Sequence, residues 1–550
     1  GSIGTNTESC NNLIALNINN IVYRLNGSFI QLANSSDIFT DIKNTNNYLT
    51  LTTSTSVLVY DQDFILKRQI NKSEIPNFTG NFKSALVVGT QLMISTNNAG
   101  LIEVGLFANN FNLVVPSGPE YNKIFSITVS PKGKLWAAYG DYDVNNNPYP
   151  LDDFGISIMN QNQWKYIKNN VLNNYKSIVR VSLDPNNEDI AYISSYFNGL
   201  IKMVNEVPTM FYNHTNGLDY IIQPTLPDLR DIRVENVAFD SNGGVWVSNG
   251  LVSNMLRVLR PNGTWSVYNF SSEIGSDDNH NFRLSIDKNN TKWLGTIGAG
   301  VIIFNENGNK KQKLTENDID NLPTSSVPVI AIDKKNQAWI GTRAGLRIVK
   351  NVDDFINQGS VVSTNIVIEE NGLGQELMYR QHITDIVVDG ANNKWIATAD
   401  AGVFLVSPNG QKTIHHFTLE NSPLPSDTVY DIDINPTTGE VFFVTSRGMV
   451  SFGGLATATQ ETLENVYIFP NPVRPEYTGT VKITQLTDKA NVKITDIEGN
   501  LVFEKTSDSG TIEWDTTAFG KYKVASGVYV VFLSSKDGTD TQVRKIMIVR

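Results

Sequence analysis

SIDKNNTKWLGTIGAGVIIF, residues 285–304, is the stretch whose reading decides the fold. An apolar strand closes on Asp287, a short Asn-rich turn follows, and Trp293-Leu294-Gly295-Thr296 forms a second strand. A turn ends at Gly300, and a third apolar strand runs from Val301 to Phe304. The same order recurs at AIDKKNQAWIGTRAGLRIV (331–349) and VVDGANNKWIATADAGVFLV (387–406), and more weakly at AFDSNGGVWVSNG (238–250). Self-similarity at one period marks a repeat architecture. Every element within the period is a short strand, which selects a β-propeller over a helical solenoid.

The aromatic of the second strand serves as a ruler: Trp136, Tyr192, Trp246, Trp293, Trp339, Trp395 and Phe442, in steps of 56, 54, 47, 46, 56 and 47 residues. Four short strands and their loops need roughly 40 to 50 residues, so the variation is loop length. The aromatic reads as a plug between adjacent sheets. The Asp before the turn reads as an acceptor for turn amides, and the Gly after the second strand supplies φ > 0. Seven repeats between 119 and 462 predict a seven-bladed propeller whose closure leaves no unpaired inner edge. Residues 13–118 hold three less regular segments, at 19–32, 46–70 and 85–104, in which Met93 takes the Trp position and Gly100 the turn. They predict either blades of a first, incomplete propeller at 1–118, with further blades outside this sequence, or part of one larger ring; the first is preferred.

A chain of 550 residues exceeds one ordinary core. Its net charge of −11 disfavours nucleic acid or an anionic membrane surface as partner. The single cysteine, Cys10, forms no intrachain disulfide. No apolar run approaches transmembrane length. No signal peptide is visible, and Gly1-Ser2 reads as a cloning remnant, so an export signal is expected to have been removed.

Three connections exceed what blade geometry requires: 140–155, 205–231 and 368–382. Long loops on a rigid scaffold are where binding residues gather. Tyr142, Tyr149 and Phe154 lie in the first, Phe211, Tyr212, His214 and Tyr220 in the second, Tyr379 and Arg380 in the third. They suit a glycan or protein surface, though the plainer reading is aromatics that anchor long loops. Asp141, Asp143, Asn145 and Asp152 resemble a calcium loop faintly. Asn146 stands where that loop needs Gly, two prolines interrupt it, and no helices flank it.

Catalytic constellations are lacking. The five histidines form no HExxH and no zinc spacing. Gly295, Gly298 and Gly300 have neither the spacing nor the following helix of a phosphate loop. Asp277-Asp278-Asn279-His280 reads as a hydrophilic loop before a blade, and the pairs Asp152-Asp153 and Glu369-Glu370 carry no distance information. No enzyme activity and no cofactor are expected.

Near residue 463 the pattern changes. VYIFPNPVRPEYTGTVKITQL (466–486) and ANVKITDIEGNLVFEK (490–505) precede IEWD (512–515), ASGVYVVFLSS (525–535) and TQVRKIMIVR (541–550). Alternating strands with Gly-containing turns predict a small antiparallel β-sandwich at 463–550.

Both halves resemble known families. KWLGTIGAGV, AWIGTRAGL and LPSDTVYDIDINPTTGEVFFVTSRGMVSF (424–452) resemble the two-component regulator propeller repeat. Phe469-Pro470-Asn471-Pro472, VKITDIEGNLV (492–502), Gly527-Val528-Tyr529 and Arg544-Lys545-Ile546 resemble the C-terminal sorting domain of type IX secretion. PNPVRPEYTG directly after a propeller resembles the PorZ-like surface components of that system in Bacteroidetes. The resemblance implies a non-enzymatic scaffold on the outer-membrane surface. Its implied partners are a sortase (PorU), an outer-membrane barrel shuttle (PorV), PorQ and anionic lipopolysaccharide. It also implies translocon recognition through Pro470, Asn471, Pro472, Gly499, Gly527, Tyr529 and Lys545. Two other readings share these blades: the periplasmic sensor of a hybrid two-component system, and an exported lyase or adhesin carrying the sorting domain.

Overall fold

The structure is a computed structural model that describes residues 7–10, 13–18, 21–26, 28–97, 99–115, 117–223, 226–275, 280–370, 372–454 and 456–550. The chain forms two compact units, 1–118 and 119–550. Asp277, Asp278 and Asn279 lie outside the described residues, as does the side chain of Glu370.

The first unit holds three four-stranded antiparallel sheets, spanning 7–34, 39–71 and 82–114. The first reaches back to Thr7, twelve residues before the segment read from sequence, because Thr7–Cys10 and Leu13–Ile18 add two strands with little apolar alternation. Its third sheet turns as the later blades do. Thr96 Oγ1 donates to the Gly100 carbonyl at 2.8 Å and accepts the Ala99 amide at 2.9 Å, with Gly100 at φ 73°. The same bonds tie Thr296 to Gly300 and Thr398 to Gly402.

The second unit opens with seven antiparallel sheets, here blades I to VII. Their inner strands are Ser126–Val129, Ile178–Asp184, Val234–Phe239, Asn281–Ile286, Val329–Ile332, Ile383–Val388 and Val429–Ile434. Each inner strand packs on the next, and that of blade VII packs on that of blade I, so the ring closes. Blades V and VII have three strands; in blade V an isolated pairing of Ile348 with Thr364 stands at the outer edge. Side chains stitch the ring where strand pairing cannot. Ser126 and Thr128 hydroxyls donate to the Val179 and Val181 carbonyls, both at 2.6 Å. Asn236 accepts the Leu284 amide at 2.9 Å and donates to its carbonyl at 3.2 Å.

Trp136, Trp246, Trp293, Trp339 and Trp395 are all buried, in clusters that join adjacent blades. Burying about 200 Å² of indole contributes about 5 kcal/mol of transfer free energy each. The Asp before the turn does more than cap it. Asp287 Oδ1 accepts the amides of Asn289 and Thr291, both at 2.9 Å, while Oδ2 accepts the Trp293 indole N–H at 3.0 Å. Asp240 holds Asn242, Gly244 and Trp246 in the same way, and Asp333 holds Lys335, Gln337 and Trp339. Gly295 is a glycine for a separate reason: a Cβ there would lie 2.1 Å from the Val327 carbonyl oxygen of the next blade's approach.

Two of the three long connections contain regular structure. Val207–Tyr212 is the fourth strand of blade II, and Ile221–Gln223 pairs with Leu226–Asp231. Val367–Glu370 pairs with Leu373–Glu376. These strands are short and mostly half-exposed, so the alternation that marks a strand in sequence is weak.

Beyond the ring, one sheet orders Tyr467–Phe469, Val481–Thr484 and Thr511–Trp514; a second orders Leu501–Thr506, Asn491–Thr495, Gly527–Ser534 and Thr541–Ile548. They enclose Val481, Ile483, Ile494, Trp514, Val531 and Ile546. The segment 456–460 joins this sandwich to the ring. Ala456 and Thr457 carbonyls accept the amides of Gly390 and Gly510 at 3.0 and 2.9 Å, and the Ala458 amide donates to Pro436 at 2.8 Å.

Blade I supplies an internal control for the Asp motif. Ser130 stands where blades III to VI have Asp; its hydroxyl caps the Lys134 amide at 3.0 Å, but the buried Trp136 indole nitrogen has no partner. Ser130→Asp is expected to stabilise the ring by about 1 kcal/mol by satisfying that nitrogen, whereas Asp287→Ala should cost about 3 kcal/mol by orphaning three donors. Thermal unfolding followed by tryptophan fluorescence checks both; a Ser130→Asp chain that melts earlier than wild type contradicts the motif's role.

Candidate functional site

The inner strands begin at one end of the ring, and there the axial channel opens into a cavity of about 390 Å³. Its charged floor comes from one position repeated around the ring. Arg180, Arg283, Asp385 and Asp431 each stand third in their inner strands, at or beside an irregularity in the strand register. Such irregularities re-aim a side chain. Arg180 Nε donates to Glu235 Oε1 at 2.8 Å and Nη1 to Asp431 Oδ1 at 3.3 Å. Arg283 bridges Asp385 and Asp431.

These carboxylates also close the ring. Asp431 and Asp433 accept the Ile127 and Val129 amides of blade I, both at 2.7 Å, and Asp385 accepts the Ile432 amide at 2.8 Å. Burial pushes the Asp385 carboxyl up to about 6, against the pull of Arg283, and the Asp433 carboxyl up to about 7, against two backbone amides.

Above this floor the walls are aromatic. Phe125, Tyr142, Phe282 and Tyr430 line the cavity together with Arg343, His382 and Thr428. Tyr142 donates to Glu235 at 3.1 Å and packs on Phe125 and Tyr196 at 5.0 and 4.8 Å. Burial raises its hydroxyl pKa well above the usual range. His382 is pushed down by burial and by Arg343, so its imidazole is neutral at pH 7.

Of the loop residues singled out in sequence, Tyr142 and Asp143 line this cavity. Tyr149, joined to Pro150 by a cis peptide, packs on Phe197 at 6.1 Å, and Phe154 packs on Tyr121 at 4.8 Å. Tyr212 stacks edge-on against Trp265 at 5.6 Å. These three anchor their segments. His214 and Tyr220 do meet, at 5.3 Å, with Arg230 over the Tyr220 ring at 4.9 Å; His214 and Arg230 line a second cavity of about 330 Å³. Tyr379 and Arg380 stack on each other at 5.2 Å, exposed on a separate turn. Asp143 caps the Asn145 and Asn147 amides, and Asp141 and Asp152 both face Lys123 at 2.7 and 3.8 Å. Among the described residues no three His, Cys, Asp or Glu side chains gather as metal ligands. Arg180, Arg283, Glu235, Asp385, Asp431 and Arg343 were not singled out; one charged residue third in an apolar inner strand, as in IVRVS and VYDIDI, is the signal for the channel set.

In the C-terminal sandwich, Pro470 and Pro472 both follow cis peptides. Asn471 between them donates to the Lys545 carbonyl at 2.8 Å and accepts the Met547 amide at 3.0 Å, which fixes this turn to the last strand. Gly499 turns with φ 91°, Gly527 begins a strand, and the Tyr529 hydroxyl donates to the Ala525 carbonyl at 3.0 Å. The sheet's outer face exposes Lys545 and an apolar set: Phe532 (44 %) beside its cross-strand partner Val543 (53 %), and Met547 (48 %).

Residues 467–549 match the family described as the secretion system C-terminal sorting domain. The whole chain aligns with 76% of the solved chain of PorZ at TM-score 0.63 and 22% identity. PorZ is described as an essential surface component of the type IX secretion system of Porphyromonas gingivalis. An extracellular domain from a suspected hybrid two-component system of B. thetaiotaomicron aligns with 99% of this chain and 73% of its own at TM-score 0.43 and 15% identity. No curated protein sequence matches the chain. The PorZ alignment establishes the fold over the full length.

A carboxyl that holds its proton more tightly folded than unfolded adds stability that is complete below about pH 4 and lost as pH rises through the folded value. For Asp433 that window ends near 7. Raising the pH from 5 to 8 should therefore weaken the junction of blades VII and I by about 2 kcal/mol. In Asp433→Asn this share of the pH dependence should vanish. Thermal unfolding of both chains at pH 5, 6.5 and 8 decides it, and identical slopes contradict the assignment.

Proposed function

We propose that this protein is a non-enzymatic scaffold of a type IX secretion system, exported to the outer-membrane surface. There it holds partner proteins and an anionic lipopolysaccharide in one complex. The observation that carries the reading is the sorting-domain match at 467–549 standing directly behind a propeller, in a chain whose full length takes the PorZ fold. The partners are of the sortase and barrel-shuttle kind, PorU, PorV and PorQ.

The chemistry of the channel supports a holding role. Arg180 and Arg283 on its floor pair with carboxylates, and Asp385 and Asp431 also accept ring-closing amides. Groups so occupied stiffen a scaffold. The sandwich offers the protein-binding surface: Phe532, Val543 and Met547 on a stiff sheet, with Lys545 among them, make an apolar patch with a polar member. Among the described residues no helix is long and apolar enough to cross a membrane, so attachment through partners fits the chain.

The full chain carrying Phe532→Glu and Val543→Glu should lose capture of the sortase and the barrel shuttle by at least tenfold in a pull-down, with its melting temperature within a few degrees of wild type. Both side chains are exposed, so folding tolerates the change. Undiminished capture would count against the proposal.

A further inference from the structure

The mouth of the channel holds one cation that the ring does not employ. Arg343 sits in the turn between the second and third strands of blade V, over the Phe282 ring at 5.5 Å. Its Nε is buried without a hydrogen-bond partner, and among the described residues Arg343 forms no ion pair. Arg180, Arg233 and Arg283, at the same end of the ring, each have a carboxylate. A buried N–H left without an acceptor is costly, and burial pushes the Arg343 pKa down against the pull of Tyr142 and Asp143.

The turn does not require an arginine there. Thr342 Oγ1 donates to the Gly345 carbonyl at 2.8 Å and accepts the Ala344 amide at 3.1 Å, and those bonds define the turn. The residue after the equivalent threonine is Ile297 in blade IV, Ala399 in blade VI and Ser446 in blade VII. A long cation at this one position, pointing into a cavity, is thus a property of the cavity.

The orphaned Nε of Arg343 calls for a hydrogen-bond acceptor from outside the ring. Three carboxylates on the channel floor, Glu235, Asp385 and Asp431, share two arginines, Arg180 and Arg283, and Glu235 Oε2 is buried without a hydrogen-bond partner. Asp143 at the rim is exposed and accepts two turn amides. His382 is neutral. Among the described residues Arg343 is thus the cation lining the cavity that has no ion pair, with Asp143 acting on it from the rim. Tyr142 and Tyr430 are among the aromatic side chains that line the same cavity. A volume of about 390 Å³ with aromatic walls and a few convergent polar groups is within the range of small-ligand sites.

The geometry points to a binding site for an acidic monosaccharide unit, its carboxylate paired with the Arg343 guanidinium and its ring laid against Tyr142 and Tyr430. A fork-shaped guanidinium matches a carboxylate with two parallel hydrogen bonds. The site gives the glycan half of the preceding proposal a location and rests on it only for the source of the sugar. The capture test reads the outer sheet of the sandwich, so either idea can fail alone.

Calorimetric titration of the full chain with glucuronate, glucose and inorganic phosphate tests the site. Glucuronate should bind at least tenfold more tightly than glucose, which lacks the carboxylate. Arg343→Gln should remove at least tenfold of the glucuronate affinity, and Arg343→Lys should recover part of it. Should Arg343→Gln fail to fold, Val144→Trp, an exposed rim substitution, is expected to block the probe while Arg343 stays in place. Phosphate binding as tight as glucuronate with no loss in Val144→Trp, equal binding of glucose and glucuronate, or no glucuronate binding at all would overturn the proposal. Displacement of bound glucuronate by purified uronate-bearing lipopolysaccharide supports the site with a lipid-linked glycan as source; glucuronate binding without displacement supports it with the free sugar acid.

Discussion

One carboxylate, repeated in three consecutive blades, ties turn, plug and neighbouring sheet together. In blades III, IV and V it caps its own turn with one oxygen and fixes the indole of its own second strand with the other. The turn so fixed then reaches sideways. Asn290, Asn336 and Asn392, each at positive φ, accept the amides of Ser241, Lys288 and Lys334 in the preceding blade at 2.9 to 3.0 Å. Lys394 reaches from blade VI to Asp333 at 2.8 Å and over the Trp339 ring at 4.3 Å, and Lys292 lies 3.8 Å over Trp246. An indole held by its own turn cannot rotate, so the face it offers the next blade is constant.

Closure in turn makes the channel usable. Inner strands of neighbouring blades diverge too far for ladder pairing, and single side chains span the gaps instead. At the last junction the spanning groups are carboxylates, and a carboxylate in a confined channel needs a counter-charge. Arg180 and Arg283 supply it from blades II and IV, across the axis. The charged floor is thus a consequence of closing the ring with acids, and it needs no ligand to explain it. Arg343 lacks that explanation.

How much of this was legible in sequence depends on how local the cause is. The Trp ruler, the turn Asp and the turn Gly all act within about ten residues, so each repeat states them again, and the blades could be counted. Gly295 was readable as a glycine but not as a clearance for Val327, because its neighbour arrives from the next blade. Partners in the channel lie on different blades: Arg180 and Asp431 meet only after the ring has closed. The loop aromatics left two readings open for a related cause. Phe154 and Tyr212 are aromatic because long connections must be pinned to the ring, and a pinned aromatic and a ligand-facing one look alike in one dimension. The fourth strand of blade II and the two hairpins were passed over because half-exposed strands show little alternation.

The placement of the sandwich bears on whether both proposed surfaces can serve at once. Its connecting segment, 456–460, is bonded to Gly390 and Pro436, which lie in the turns where the inner strands of blades VI and VII end. The cavity lies where those strands begin. A Cβ on Gly390 would stand 1.9 Å from the Thr457 carbonyl oxygen, and one on Gly510 would stand 2.0 Å from that of Ala458, so the segment is pressed between ring and sandwich with no room to shift. The sandwich is therefore fixed to the far end of the ring and leaves the mouth clear, with Phe532, Val543 and Met547 on its outer sheet. A protein gripped by that sheet and a sugar seated at Arg343 would occupy opposite ends of one stiff body. Neither would have to yield to the other, and the distance between them would be set by the ring alone.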